Sequence, residues 1–257
     1  MGRLEGKVVL VTGASAGIGE ACAREFAKEG SHLIITGRRL ERLQALQGEL
    51  QSQYPNQKFH PIALDVRKQE AVNGAIASLP ADLGEIDVLV NNAGLVIGVD
   101  KVADVSEEAI ETMLDTNVKG LVFVTQAVLK GMKERKRGHI LNVGSVSGKQ
   151  VYSGGGIYCA SKHAVDAISR TLLLELVDTP IRVSQICPGL VNTEFSTIRF
   201  GGDTSKADAV YKGLQPLVGQ DVAEIVTFTA SRPPHVNIAD VLVLPTAQAD
   251  AKTTHRE

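Results

Sequence analysis

Short apolar runs rich in Val, Ile and Leu recur along the chain. They are KVVLVT at 7–12, HLIIT at 32–36, IDVLV at 86–90, HILNV at 139–143, IRVSQI at 181–186 and DVLVL at 240–244. KFHPIAL at 58–64 is a weaker member of the series. Between the runs lie helical patterns, GEACAREFAKEG at 19–30 and RLERLQALQGELQSQ at 39–53, with further helices expected near 68–79, 106–135, 156–177 and 220–230. Strands buried on both faces read as continuous apolar runs, and alternating strands and helices predict an α/β fold, a parallel sheet with helices on both faces. No Pro/Ser linker or internal repeat divides residues 1–257, so a single domain is expected. The least regular stretch, about 189–219, is either a mobile lid over a ligand or an ordinary surface excursion.

Composition narrows the function classes. The chain has 257 residues, 44% of them hydrophobic, enough for a sizeable core. A net charge of −2 leaves no basic surplus for nucleic acid, and KERKRG at 133–138 reads as the exposed end of a helix. Cys22, Cys159 and Cys187 are too widely spaced for a disulfide framework or a metal knuckle. With scattered histidines as well, no metal site is expected. No apolar run approaches the ~20 residues of a membrane span. The first strand begins within a few residues of the start, which leaves no room for a signal peptide. A cytoplasmic protein is expected, without membrane or nucleic-acid partners.

The first strand runs into TGASAGIGE, with Gly13, Gly17, Ile18 and Gly19 in the turn to the first helix. Glycines let backbone approach a phosphate closely, and the helix start offers free N–H groups. The spacing is G-x-x-x-G-x-G rather than the standard G-x-G-x-x-G. At the end of the second strand, where an NAD site commonly carries an acidic residue, stand Gly37, Arg38 and Arg39. A guanidinium can grip a 2′-phosphate that a carboxylate would repel, so NADP is predicted over NAD, with Arg38 the principal contact. Both arginines could instead simply start an exposed helix. Asp65 ends the third strand, where it could accept from an adenine amino group or cap the next helix. NNAG at 91–94 ends the fourth, with small residues that suit either close cofactor approach or a tight turn.

The stretch GSVSGKQVYSGGGIYCASK at 144–162 places Tyr158 and Lys162 one helical turn apart. Taken with TGASAGIG at 12–19, NNAG, Asn117 in DTNVKG, Ser145 and Pro188-Gly189, it gives the chain a resemblance to the short-chain dehydrogenase/reductase family from about Lys7 to beyond Thr193. The resemblance implies a Rossmann-type, doubly wound parallel sheet of seven strands with the site at their carboxyl ends. It implies Tyr158 as general acid/base, Lys162 lowering the Tyr158 pKa and binding the nicotinamide ribose, Ser145 on the substrate oxygen, and Asn117 holding a water in a proton relay. It implies cofactor contacts at Gly13, Ser15, Gly17, Ile18, Gly19, Arg38, Arg39, Asp65, Val66, Asn92, Ala93, Gly94, Pro188, Gly189, Val191 and Thr193. A free phenol titrates near ~10, and an adjacent ammonium or a positive nicotinamide favours its phenolate. Cys159 reads as packing.

The segments PGLVNTEFSTIRF at 188–200 and VNIADVLVLPTAQAD at 236–250 resemble the NADP-dependent 3-hydroxy acid dehydrogenases of this family. That resemblance implies oxidation of the β-hydroxyl of L-allo-threonine, serine, 3-hydroxyisobutyrate or similar acids, and in reverse the reduction of small ketones and aldehydes. It also implies a homotetramer built through the helices near 106–135 and 156–177. A carboxylate substrate needs a cation or several donors. Arg199 is the candidate, Lys149 and Gln150 are weaker ones, and Tyr152 either lines the pocket or packs. The alternatives are a broad carbonyl reductase and an NADP-binding regulatory protein without turnover. The polar stretch 194–215 favours small polar substrates over large apolar ones.

Overall fold

The computed structural model describes residues 2–257. Met1 lies outside the described residues. In chain order the elements are β1 (Val8–Thr12), α1 (Gly17–Lys28), β2 (His32–Gly37), α2 (Leu40–Gln53), β3 (Phe59–Ala63), α3 (Gln69–Ala77) and β4 (Val88–Asn91). Then come α4 (Glu107–Leu114), a π turn (Asp115–Gly120), α5 (Leu121–Arg135), β5 (Gly138–Val143), a 3₁₀ turn (Val146–Gly148) and α6 (Gly156–Glu175). The chain closes with β6 (Ile181–Pro188), β7 (Val191–Asn192), α7 (Glu194–Arg199), α8 (Thr204–Ala209), β8 (Leu217–Val218), α9 (Gly219–Ala230) and β9 (Asp240–Val243). Each of the seven apolar runs becomes a strand of one parallel sheet, ordered β3-β2-β1-β4-β5-β6-β9.

Successive side chains on β1 point to opposite faces, and both faces are covered. Val9 and Val11 join Phe26 of α1, Leu43 and Leu46 of α2 and Val222 and Val226 of α9 in one core. Val8 and Leu10 join Val72 of α3, Val124 and Val128 of α5 and Leu172 of α6 in the other. Strand order reverses between β1 and β4, and this opens a crevice at the carboxyl ends of the strands, where ligands of such sheets bind.

Two features depart from the sequence reading. The stretch 189–219 is not irregular. It folds into α7, α8 and the parallel β7–β8 pair. Side-chain caps start both helices, Thr193 accepting from Phe195 N at 3.3 Å and Asp203 from Lys206 N at 3.0 Å. The C-terminal residues hold this segment down: Arg256 donates to the carbonyls of Lys212 (2.7 Å) and Val210 (3.0 Å), and Leu190 N donates to Gln248 Oε1 (2.8 Å). The expected helix over 106–135 is broken by the π turn at Asp115–Gly120. This wider turn is a frequent functional-site feature, and Asn117 sits inside it.

Candidate active site

The ends of β1 and β4 are tied together first. Thr12 Oγ1 accepts from the backbone N–H groups of Asn92 and Ala93, both at 3.0 Å. Asn92 Nδ2 donates to Thr12 O at 2.9 Å and Gly13 O at 3.2 Å. A Cβ at Gly19 would lie 2.4 Å from both Asn92 Nδ2 and Gly13 O, so only glycine lets α1 start this close to β4.

A cavity of about 420 Å³ opens at this point. Gly13, Ser15, Gly17, Ile18, Arg38, Arg39, Asp65, Val66, Asn92, Ala93 and Gly94 line it, together with Ser145, Tyr158, Lys162, Pro188, Gly189, Val191 and Thr193. Gly19, Asn117, Tyr152 and Arg199 of the expected residues stand off its wall. A glycine-rich helix start, the Arg38 guanidinium and a deep end carrying Ser145, Tyr158 and Lys162 match the donor chemistry of an NADP dinucleotide. Arg38 is exposed at the cavity and makes no side-chain hydrogen bond or ion pair among the described residues.

Arg39 and Asp65 depart from expectation. Arg39 has partners within the chain: it pairs with Glu194 at 2.8 Å and donates to Ser15 Oγ at 3.1 Å. Asp65 caps no helix. Arg67 takes its carboxylate by a two-pronged grip, with Nη2 at 2.7 Å and Nε at 3.0 Å from Oδ2, and the side chain of Arg67 holds its pKa below the usual range.

At the deep end, Ser145 follows β5 and its Oγ accepts from Ser147 N at 3.0 Å, which starts the 3₁₀ turn. Tyr158 and Lys162 lie in the first two turns of α6 and are 8% and 6% exposed. The Tyr158 ring meets Phe195 of α7 edge-on at 5.6 Å. Lys162 Nζ donates to Val143 O at 2.9 Å and lies 6.0 Å from the Tyr158 ring centroid. Burial pushes the Tyr158 phenol up, and its bond with Ser145 opposes this only in part. Burial also draws the Lys162 ammonium down from 10.5 to about 8. Desolvation is thus the largest influence on the Tyr158 phenol.

Asn117 braces two neighbours. Its Oδ1 accepts from Leu95 N, its Nδ2 donates to Leu95 O, both at 2.8 Å, and Nδ2 also reaches Ser161 Oγ at 3.0 Å. Both amide donors are spent on the loop after β4 and on α6, so a relay water at this side chain would be one that donates to it.

Arg199 and Tyr152 form a second cluster beside the cavity. The Arg199 guanidinium stands 5.5 Å from the Tyr152 ring centroid and donates to Gly98 O (3.2 Å) and Gly154 O (3.3 Å). A Cβ on Gly155 would sit 2.3 Å from a Tyr152 ring carbon, so the glycine bend before α6 makes room for this ring. Lys252 Nζ lies 4.7 Å from the same ring. The weaker carboxylate candidates are engaged elsewhere: Lys149 pairs with Asp166 and Asp240, and Gln150 Oε1 accepts from Ala251 N at 2.7 Å. Sequence reasoning missed Leu95, Thr116, Glu194, Phe195 and Ile198 on the cavity wall and Lys252 above Tyr152. The Thr-Glu pair at 193–194, a cap residue followed by a first-turn acid, is a local signal for a helix start there.

The family model for short chain dehydrogenases matches residues 7–200. An NADP-dependent 3-hydroxy acid dehydrogenase of Schizosaccharomyces pombe is 44% identical over 258 residues, covering 100% of this chain and 99% of the relative. One of the same name from Salmonella typhi is 48% identical over 95% of this chain and 97% of its own length. Among solved structures, the closed form of a serine dehydrogenase complexed with NADP+ superposes with a TM-score of 0.91 at 46% identity, over 97% of this chain and all of that one.

Proposed function

The chain belongs to the short-chain dehydrogenase family, and from that premise we propose that it is an NADP-dependent oxidoreductase acting on the 3-hydroxyl or 3-oxo carbon of small hydroxy acids. One observation carries this reading. One cavity joins the Arg38 guanidinium, which has no partner among the described residues, to a buried Ser145–Tyr158–Lys162 cluster. The full-length relatives at 44–48% identity bear the corresponding names.

NADP, when bound, accepts or supplies the hydride and brings a positive nicotinamide in its oxidised form. The chain does the rest. Arg38 grips the 2′-phosphate, and the glycine turn and the start of α1 take the pyrophosphate. Ser145 holds the substrate oxygen by a hydrogen bond. Tyr158 moves the proton at that same oxygen, donating it in reduction and taking it in oxidation. Lys162, packed beneath Tyr158, supplies the local positive charge and a donor for a ribose hydroxyl. Asn117 acts as the brace that fixes α6 to the loop after β4. Segment 189–219 covers the substrate as a lid, with Phe195 against Tyr158.

Arg199 holds the acid group of the substrate. Its guanidinium stands 5.5 Å from the Tyr152 ring centroid, and the Lys252 ammonium, at 4.7 Å, adds a second cation to that ring. The test is Arg199→Met. It should raise KM for 3-oxo acids about ten-fold or more, as loss of a charge-assisted contact does, and leave neutral ketones within about two-fold. Equal effects on both would remove Arg199 from acid recognition and favour a broad carbonyl reductase. Exposed Leu114, Leu174 and Val177 on and beside the long helices support a homotetramer, which sedimentation would test. No helix of the described residues is long and apolar enough to cross a membrane.

A further inference from the structure

Three elements meet at the 2′-phosphate end of the cavity through one carboxylate. Glu194 opens the lid helix α7. Its Oε2 takes Arg39 Nη1 at 2.8 Å, and its Oε1 takes Arg42 Nη1 at 2.5 Å, both from the start of α2. Arg39 in turn donates through Nε and Nη2 to Ser15 Oγ, at 3.3 and 3.1 Å, in the glycine turn. Ser15, Arg38, Arg39 and Glu194 all line the cavity, whereas Arg42 does not. Arg42 and then Arg39 hold the Glu194 carboxyl below its usual range, so it stays charged at neutral pH.

An acid beside an anion subsite needs an explanation. A carboxylate facing the 2′-phosphate directly would repel it. A carboxylate behind a guanidinium can instead orient the planar fork and leave its other edge toward the phosphate. Glu194 lines the cavity itself, but its two oxygens are taken by Arg39 Nη1 and Arg42 Nη1, and the Nε–Nη2 edge of Arg39 is turned onto Ser15 Oγ. We propose that Glu194 is a positioning residue for cofactor choice: from the lid it holds Arg39 against Ser15, so that the 2′-phosphate subsite of Arg38, Arg39 and Ser15 is complete only with α7 in place. This rests on the NADP reading above and ties the lid to the cofactor end of the cleft as well as to the substrate end.

The test needs no turnover. NADPH and NADH binding are followed by nicotinamide fluorescence, free of Trp background because the chain has none. 2′,5′-ADP and 5′-AMP are titrated calorimetrically as fragments without nicotinamide. Glu194→Gln should weaken NADPH and 2′,5′-ADP about three- to ten-fold while moving NADH and 5′-AMP by less than about two-fold. Arg42 pairs only with Glu194 among the described residues, and Arg42→Gln should move them in the same direction by less. In an Arg39→Met background, Glu194→Gln should add nothing, because Glu194 acts through Arg39. Tighter NADPH binding by Glu194→Gln would identify the carboxylate as a repelling charge and overturn the proposal. So would an equal loss for NADH, or a loss that persists without Arg39. A wild-type protein that binds 2′,5′-ADP no better than 5′-AMP would instead remove the NADP premise, and that result is read before any variant is made.

Discussion

Replacing Lys162 by Met should make the cofactor-free protein more stable while removing its activity. Lys162 is 6% exposed, and its Nζ has one hydrogen-bond acceptor, Val143 O at 2.9 Å. Burial draws its pKa from 10.5 to about 8. At ~1.4 kcal/mol per unit, keeping this ammonium charged in the fold costs roughly 3 kcal/mol at neutral pH. Met fills a similar volume without the charge but gives up the bond to Val143, worth about 1 kcal/mol. The net gain is about 2 kcal/mol. Its pH dependence follows from linkage. Between about 8 and 10.5 the unfolded chain binds a proton that the folded chain has lost, so wild-type stability rises with pH across that window. The advantage of Lys162→Met is full below about 8 and shrinks toward 10.5. Urea unfolding of both proteins at pH 7, 8.5 and 10 reads this directly, with unchanged m-values as the check. A variant no more stable than wild type at pH 7, or a gap that does not change with pH, would refute the claim that a buried charge is stored here for function.

Three further outcomes are expected. Arg38→Met should weaken NADPH binding by about ten-fold or more, as loss of a charge-assisted phosphate contact does, and leave NADH nearly unchanged by equilibrium fluorescence titration. Gly155→Ala places a Cβ 2.3 and 2.4 Å from Tyr152 ring atoms, more than a full ångström inside ordinary contact. It should cost about 1–3 kcal/mol by overpacking and raise KM for acids as the ring is pushed from Arg199, both read from one purified variant. His139 is 2% exposed with Nε2 on Ser184 at 2.8 Å and no partner for Nδ1, and burial, then Arg182, hold its pKa well below 6.5. The unfolded chain takes up that proton first, so folding stability should fall as pH drops through 6.5, and His139→Gln should flatten that slope in acid unfolding curves.

The strands were legible because both faces of the sheet are covered, and a doubly buried strand must be apolar throughout. The glycine turn and the Tyr158–Lys162 pair were legible because local chain geometry fixes them. What sequence did not expose depends on residues far apart in the chain. Arg39 and Glu194 are separated by 155 positions, and nothing local marks them as partners. Lys252 reaches the Tyr152 ring only because the C-terminal residues fold back over the lid segment. The short helices α7 and α8 carry too few apolar positions to show a period.

The most direct test of the account is the initial rate of cofactor reduction with L-allo-threonine, L-serine, D-serine and 3-hydroxyisobutyrate, with NADP+ and NAD+ in parallel and Tyr158→Phe as the control. Turnover of one or more of these acids is expected with NADP+, little with NAD+, and none above background in Tyr158→Phe. NADP+ binding without oxidation of any of the acids would contradict the hydroxy-acid assignment. Turnover undiminished in Tyr158→Phe would contradict the site itself.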